Sequence, residues 1–107
     1  MAVRLGTADF ETAVSGAKVP VLVDFYSDSC VPCKQLSPVL GDIEDEYGDK
    51  IKVYKVNINF DQEVAERFQV MSAPTLILFK DGKPADKKRG LQKKADLKAW
   101  LDSALTQ

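Results

Sequence analysis

An apolar run leads into a closely spaced pair of cysteines, and this order constrains the fold more than any other feature of the chain. The run spans residues 19–26, does not alternate and contains one charge, Asp24. Such a run predicts a central strand that is covered on both faces. Cys30-Val31-Pro32-Cys33 follows, and apolar residues then recur at helical spacing over residues 34–47. The two cysteines of the chain are therefore expected at the start of a helix that follows a buried strand.

The segment before this strand predicts a short helix over about residues 8–14. Thr7 is its expected N-cap, because a threonine hydroxyl can accept a hydrogen bond from the first turn. Gly16 is expected to end that helix. In the helix after the cysteines, Pro38 is expected to cause a kink and Gly48 to be the stop.

The second half of the chain predicts the order strand, helix, strand, strand, helix. These elements are expected at residues 51–57, 61–68, Thr75–Lys80, Lys83 to about Arg89, and 97–105. Asp81-Gly82 indicates a hairpin, because its turn needs positive φ. The earlier alternation implies right-handed crossovers onto parallel strands, and the hairpin adds an antiparallel edge. The expected fold class is α/β, with a mixed central sheet flanked by helices on both faces.

Size and charge exclude several classes of function. A chain of 107 residues can bury one core, so one domain over residues 1–107 is expected. A formal net charge of −1 argues against nucleic acid or anionic lipid as a partner. The charged runs Lys87-Lys88-Arg89, Lys93-Lys94 and 42–46 are interpreted as solvated faces. Without a signal peptide or a long apolar stretch, no membrane contact is expected, and the expected location is the cytoplasm.

Three interpretations of Cys30 and Cys33 compete. A structural disulfide across so short a loop constrains the unfolded chain by only about 2 kcal/mol. A structural zinc site usually needs four cysteine or histidine ligands, and the chain has two cysteines and no histidine, so no metal is expected. The favoured interpretation is a redox-active dithiol. The helix N-terminus would favour a thiolate at Cys30, and Cys33, one turn further in, could attack a mixed disulfide.

Several motifs in register resemble the thioredoxin family over nearly the whole chain, from about Phe10 to Leu105. They are Val21–Tyr26, Cys30-Val31-Pro32-Cys33-Lys34, Pro38, Ala73-Pro74-Thr75 and Gly90. The resemblance implies the thioredoxin fold and a general protein-disulfide reductase without a bound cofactor. It also implies disulfide-containing client proteins and a thioredoxin reductase, itself a flavoprotein, as partners. The chain is expected to be a monomer.

The resemblance implies roles for four residues at the cysteine pair. Cys30 matches the attacking cysteine and Cys33 the resolving cysteine, and the two form the redox-active disulfide. Asp24 matches the buried acid behind the site, and Lys55 the lysine near that acid. Because burial disfavours a carboxylate, Asp24 is expected to have a raised pKa and to accept the proton of Cys33, directly or through water. The alternative is an Asp24 that lies at the strand end and faces solvent.

A substrate groove is implied by five further residues. Pro74 matches the family's cis-proline facing the cysteines, although an ordinary trans turn is the alternative. Ala73 supplies backbone that pairs with an extended substrate, and Gly90 lines the same groove. Val31 and Pro32, between the two cysteines, are expected to contact the substrate as well.

The chain departs from the family's commonest pattern at three positions. Ser29 and Tyr26 stand where tryptophans are common, and Val31 stands where glycine is usual. These changes bear on the redox potential and the choice of reductase, and they leave the dithiol mechanism intact. Two other functions remain open at this point. One is a thiol oxidase or isomerase, and the other is a binding module whose groove docks a partner without turnover.

Overall fold

The computed structural model describes residues 2–106, and this part of the chain contains five strands, four α-helices and one 3₁₀ helix. The strands are β1 Val3–Arg4, β2 Val21–Tyr26, β3 Lys52–Asn57, β4 Thr75–Lys80 and β5 Lys83–Arg89. The helices are α1 Thr7–Ser15, α2 Val31–Tyr47, α3 Gln62–Arg67 and α4 Lys94–Leu105, and the 3₁₀ helix Gly48–Lys50 follows α2. This order of elements confirms the sequence prediction.

The strands form one mixed sheet in the order β1-β3-β2-β4-β5. β3 runs parallel to both β1 and β2, whereas β4 is antiparallel to β2 and β5 is antiparallel to β4. Asp81 and Gly82 have φ angles of 53° and 78°, so the predicted hairpin is confirmed. The alternation of elements did not predict the direction of β4. α3 has six residues and is about 9 Å long, too short to carry the chain back along β3, so β4 starts at the end where β3 stops.

Each face of the sheet is covered by two helices, because successive strand residues point to opposite sides. On one face, Leu22, Leu76 and Leu78 pack with apolar residues of α2 and α4. On the other face, Phe25 and Phe79 pack with residues of α1 and α3. The two central strands are therefore buried on both sides, which explains why their sequences are mainly apolar and do not alternate.

Three phenylalanine rings hold the α1 and α3 side of the core together. The ring centroids are 5.4 Å apart for Phe10 and Phe68, 5.7 Å for Phe10 and Phe79, and 5.0 Å for Phe68 and Phe79. The two contacts of Phe79 are edge-on, an arrangement that adds favourable electrostatics to burial. Phe79 lies at the centre of this cluster and is fully buried.

Replacing Phe79 with alanine is expected to lower the free energy of unfolding by about 3–5 kcal/mol, because it removes a buried ring and leaves a cavity. Urea denaturation of the oxidised protein measures this loss. Phe60→Ala is the matched control, because Phe60 is 76% exposed and its ring contacts the Arg4 guanidinium from the surface. The control is expected to cost about 1 kcal/mol or less. Equal losses in the two variants would contradict this description of the core.

The predicted N-cap of α1 is wrong. Gly6 is the N-cap, and Thr7 is the first residue of the helix. The backbone N–H and the hydroxyl of Thr7 both donate to Oδ1 of Asp61, at 3.1 Å and 3.2 Å. A carboxylate 54 positions away therefore satisfies the start of α1. The predicted ends of the first two helices, Gly16 and Gly48, are confirmed.

Two of the charged runs meet across the interface between α2 and α4. Lys94 lies 2.6 Å from a carboxylate oxygen of Glu46 and 3.7 Å from one of Asp42, and Lys98 lies 2.9 Å from Glu46. These side chains remain substantially exposed, so the pairs contribute little to stability. The acidic run of α2 and Lys94 therefore pair with each other, although they were interpreted as solvated faces without partners.

Candidate active site

The sulfur atoms of Cys30 and Cys33 lie at the first turn of α2 and form a disulfide, with their Cα atoms 5.2 Å apart. Cys30 is the N-cap and adopts extended backbone angles, φ −90° and ψ 108°. Its sulfur accepts a hydrogen bond from the backbone N–H of Cys33 at 3.1 Å. Pro32 fits in the first turn because the N–H that it lacks would have no partner within the helix.

The two sulfurs differ in their access to solvent. Cys33 is buried, with 5% of its surface exposed, whereas Cys30 is only half-buried. Val31 between them is 62% exposed. An incoming disulfide can therefore reach the sulfur of Cys30, and Cys33 lies behind it.

A second segment contacts Cys30 from the start of β4. The Ala73–Pro74 peptide bond is cis. The Ala73 carbonyl oxygen lies 3.4 Å from the sulfur of Cys30. That sulfur carries no proton in the disulfide, and in the dithiol state a Cys30 thiol could donate to this oxygen. The N–H of Gly90 donates to the Pro74 carbonyl at 2.8 Å, and Gly90 has a φ of +82°, which favours glycine. The fold thus brings together the residues that were predicted to line a groove.

Asp24 lies behind the cysteine pair, on β2, and is 5% exposed. Lys55 is opposite it in the parallel register of β2 and β3. Among the residues that the structure describes, Oδ1 of Asp24 has no hydrogen-bond partner. Burial raises the pKa of Asp24 to about 7, and the charge of Lys55 offsets only part of this effect. The alternative of a solvent-facing Asp24 is therefore wrong.

A cleft of about 190 Å³ joins this carboxyl to the inner cysteine. It is lined by Asp24, Tyr26, Ser27, Asp28, Cys33, Lys34, Ser37 and Lys55. Cys33, Asp24 and Lys55, which the family resemblance implies at one site, all line this cleft. Ser37 is a further lining residue that was not predicted, although its position four residues after Cys33 on the same helix is a signal in the sequence.

Comparison with known proteins agrees with this geometry. The family model named Thioredoxin matches residues 1–103. The chain belongs to the thioredoxin family. It is 45% identical over 96 residues to a thioredoxin of Acidithiobacillus ferridurans, covering 90% of this chain and 89% of the relative. It is 43% identical over 101 residues to a thioredoxin of Alicyclobacillus acidocaldarius, covering 94% and 95%, and 42% identical over 101 residues to one of Pseudomonas aeruginosa, covering 94% of each.

As a member of the thioredoxin family, the chain is a protein-disulfide reductase. Its Cys30 and Cys33 cycle between the dithiol and the disulfide, and its partners are disulfide-containing client proteins and a thioredoxin reductase. Between residues 2 and 106, no helix has both the length and the apolar character that are needed to cross a bilayer.

Several exposed apolar side chains lie close in sequence to the site residues. Ser29, at the usual tryptophan position, is exposed and offers no apolar area. Three large apolar side chains close to the site in sequence are exposed instead: Val31 at 62%, Met71 at 94% and Leu91 at 49%. Val31 was predicted to contact substrate, whereas Met71 and Leu91 were not. Met71 lies just before Ala73-Pro74 in the sequence, and Leu91 just after Gly90.

Proposed function

We propose that Cys30 starts the reaction and that Cys33 completes it. The Cys30 thiolate attacks one sulfur of a client disulfide, a mixed disulfide forms, and the other client sulfur leaves as a thiolate. Cys33 then attacks the sulfur of Cys30, which releases the second client thiolate and leaves the Cys30–Cys33 disulfide. Two electrons pass from the cysteine pair to the client. The observation that carries this assignment is the position of Cys30 as the more exposed sulfur at the helix N-terminus, with Cys33 buried behind it.

The second step needs a base, and Asp24 is the proposed one. Cys33 must lose its proton before it attacks, because the thiolate is the nucleophile. With a pKa of about 7, Asp24 exchanges protons near neutrality, and it lines the same cleft as Cys33. Lys55 offsets part of the cost of ionising this buried carboxyl. Asp24→Asn is therefore expected to slow mainly the resolving step.

The groove beside Cys30 is the proposed site for an extended client segment. The backbone of Ala73 would pair with the client strand, and Pro74, Gly90, Val31 and Pro32 would line its path. Two contacts support the proposal: the sulfur of Cys30 lies beside the Ala73 carbonyl, and the N–H of Gly90 donates to the Pro74 carbonyl. The exposure of Val31 supports it as well.

The chain is further proposed to act as one domain over residues 1–107, as a monomer in the cytoplasm. The match of the family model to residues 1–103 supports the single domain. Its reductase partner is proposed to be a flavoprotein. The net charge of −1 supports a role without nucleic acid or a membrane surface as a partner.

An insulin reduction assay with dithiothreitol tests the proposed function. The protein is expected to accelerate the reduction of insulin disulfides strongly, and Cys30→Ser/Cys33→Ser is expected to remove the acceleration. A double variant that kept full activity in cells would favour a binding module.

Equilibration with glutathione tests the oxidase alternative, which requires a cysteine pair that oxidises client thiols rather than reducing client disulfides.

A further inference from the structure

The cleft behind the cysteines contains a polar group that the described residues leave unsatisfied. Asp24 is 95% buried, lines the cleft and has no hydrogen-bond partner at Oδ1 within residues 2–106. A buried polar atom without a partner is costly, and ordered water commonly satisfies such atoms. At about 190 Å³, the cleft has room for several water molecules, each of which occupies about 30 Å³ in the liquid.

Ser37 is an exposed residue of α2 that lines the same cleft as Cys33. The two residues are four positions apart in α2, so their side chains lie on the same helix face, and both line the cleft. A serine hydroxyl both donates and accepts hydrogen bonds, as a proton relay requires. The ammonium groups of Lys34 and Lys55 in the same cleft can only donate.

We infer that the Ser37 hydroxyl positions a water molecule that carries the proton from the Cys33 thiol to the Asp24 carboxylate during the resolving step. This inference rests on the proposed function and adds a positioning residue to it. The proton moves from Cys33 to the water as a proton of that water passes to Asp24, and the Cys33 thiolate then attacks the sulfur of Cys30. Ser37 is unchanged at the end, and it is not a nucleophile.

Several titratable or charged groups line the cleft in which this water is proposed. They are Asp24 and Tyr26 from β2, Asp28 from the following loop, Cys33 and Lys34 from α2, and Lys55 from β3. The Nζ of Lys55 lies 5.4 Å from the centroid of the Tyr26 ring, and Asp28 accepts a hydrogen bond from Asn57 at 3.3 Å. Among the residues that line the cleft, Ser37 lies on the same helix face as Cys33 and is uncharged.

The test separates the two chemical steps in one experiment. The reduced protein is mixed in a stopped-flow instrument with the aromatic disulfide DTNB, whose thiolate product is coloured. The first product molecule reports attack by Cys30, and the second reports resolution by Cys33. Ser37→Ala is expected to slow the second phase about three- to tenfold at neutral pH, the effect of one lost hydrogen bond, and to leave the first phase unchanged. The difference is expected to disappear above about pH 9, where hydroxide ionises a thiol directly.

Three further measurements exclude a merely structural effect. Ser37→Thr keeps a hydroxyl and is expected to restore most of the rate of the second phase. Ser103→Ala makes the same substitution on the exposed surface of α4 and is expected to change neither phase. Alanine has a higher helix propensity than serine, so Ser37→Ala should not unfold α2, and thermal denaturation checks this.

The inference is overturned if Ser37→Ala leaves the second phase unchanged at neutral pH. Equal slowing of both phases, or slowing that persists at high pH, would also overturn it. If the parent protein releases only one coloured product molecule per protein, the proposed resolving role of Cys33 fails instead. The two failures are therefore distinguishable.

Discussion

Replacing Cys30 with serine should abolish client reduction, with a fall in rate of at least about a thousandfold. A serine hydroxyl does not ionise near neutrality, so the helix N-terminus has no anion to favour. The remaining Cys33 is 5% exposed and cannot meet a client disulfide without local opening of α2. The insulin assay measures the loss, and the near-ultraviolet circular dichroism spectrum shows that the variant is folded.

Replacing Cys33 with serine should instead trap the client. Cys30 still attacks and still releases the first client thiolate, but nothing resolves the mixed disulfide. Intact-mass spectrometry after incubation with insulin is expected to show a covalent adduct that dithiothreitol removes. Cys30→Ser/Cys33→Ser is the matched control and should show no adduct. The difference between the two single variants is the signature of an ordered mechanism.

Alkylation of the reduced parent protein provides an independent check on this order. Iodoacetamide at neutral pH is expected to modify Cys30 before Cys33, because only the first sulfur is accessible. Fragment-ion spectra can separate the two sites within one peptide. Trapping by Cys30→Ser rather than Cys33→Ser, or faster alkylation of Cys33, would reverse the assigned roles.

The parts of this fold that local patterns determine could be predicted from the sequence. The buried strand β2, the start of α2 at the cysteines and the hairpin at Asp81-Gly82 follow from hydrophobic runs, helical spacing and turn chemistry. The burial of Asp24 followed from its position inside an apolar run. The family resemblance added Pro74 and Gly90, which no local pattern marks as part of the site.

Features that depend on distant contacts could not be predicted in this way. Asp61 caps α1 from a different part of the chain, and this contact displaced Thr7 from its predicted role. The direction of β4 depends on the path of the chain around α3. Helical spacing places Ser37 near Cys33, but the cleft that both share with Asp24 forms only when α2, β2 and β3 come together.

The buried Asp24 should also make the oxidised protein less stable as the pH rises. Its pKa is about 7 in the folded state, whereas the ordinary value, expected in the unfolded chain, is 3.8. Below pH 3.8 both states hold the proton, and the carboxyl has no effect on the pH dependence. Between the two values the unfolded state releases its proton and the folded state retains it, so stability falls as the pH rises. Above about pH 7 the penalty is constant, at about 4 kcal/mol for a shift of this size.

Asp24→Asn removes this titration and should therefore gain stability relative to the parent at higher pH. Urea unfolding of both oxidised proteins at pH 4 and pH 8 measures the effect. The advantage of the variant is expected to grow by about 4 kcal/mol between these pH values. The change with pH is the informative quantity, because the new amide has hydrogen-bonding costs of its own that do not titrate. Asp45→Asn removes an exposed carboxyl from α2 and is the matched control. The stability difference between Asp45→Asn and the parent is expected to be similar at both pH values. If the difference between Asp24→Asn and the parent is also the same at pH 4 and pH 8, Asp24 is not held protonated by burial, and it loses its proposed role as the base for Cys33.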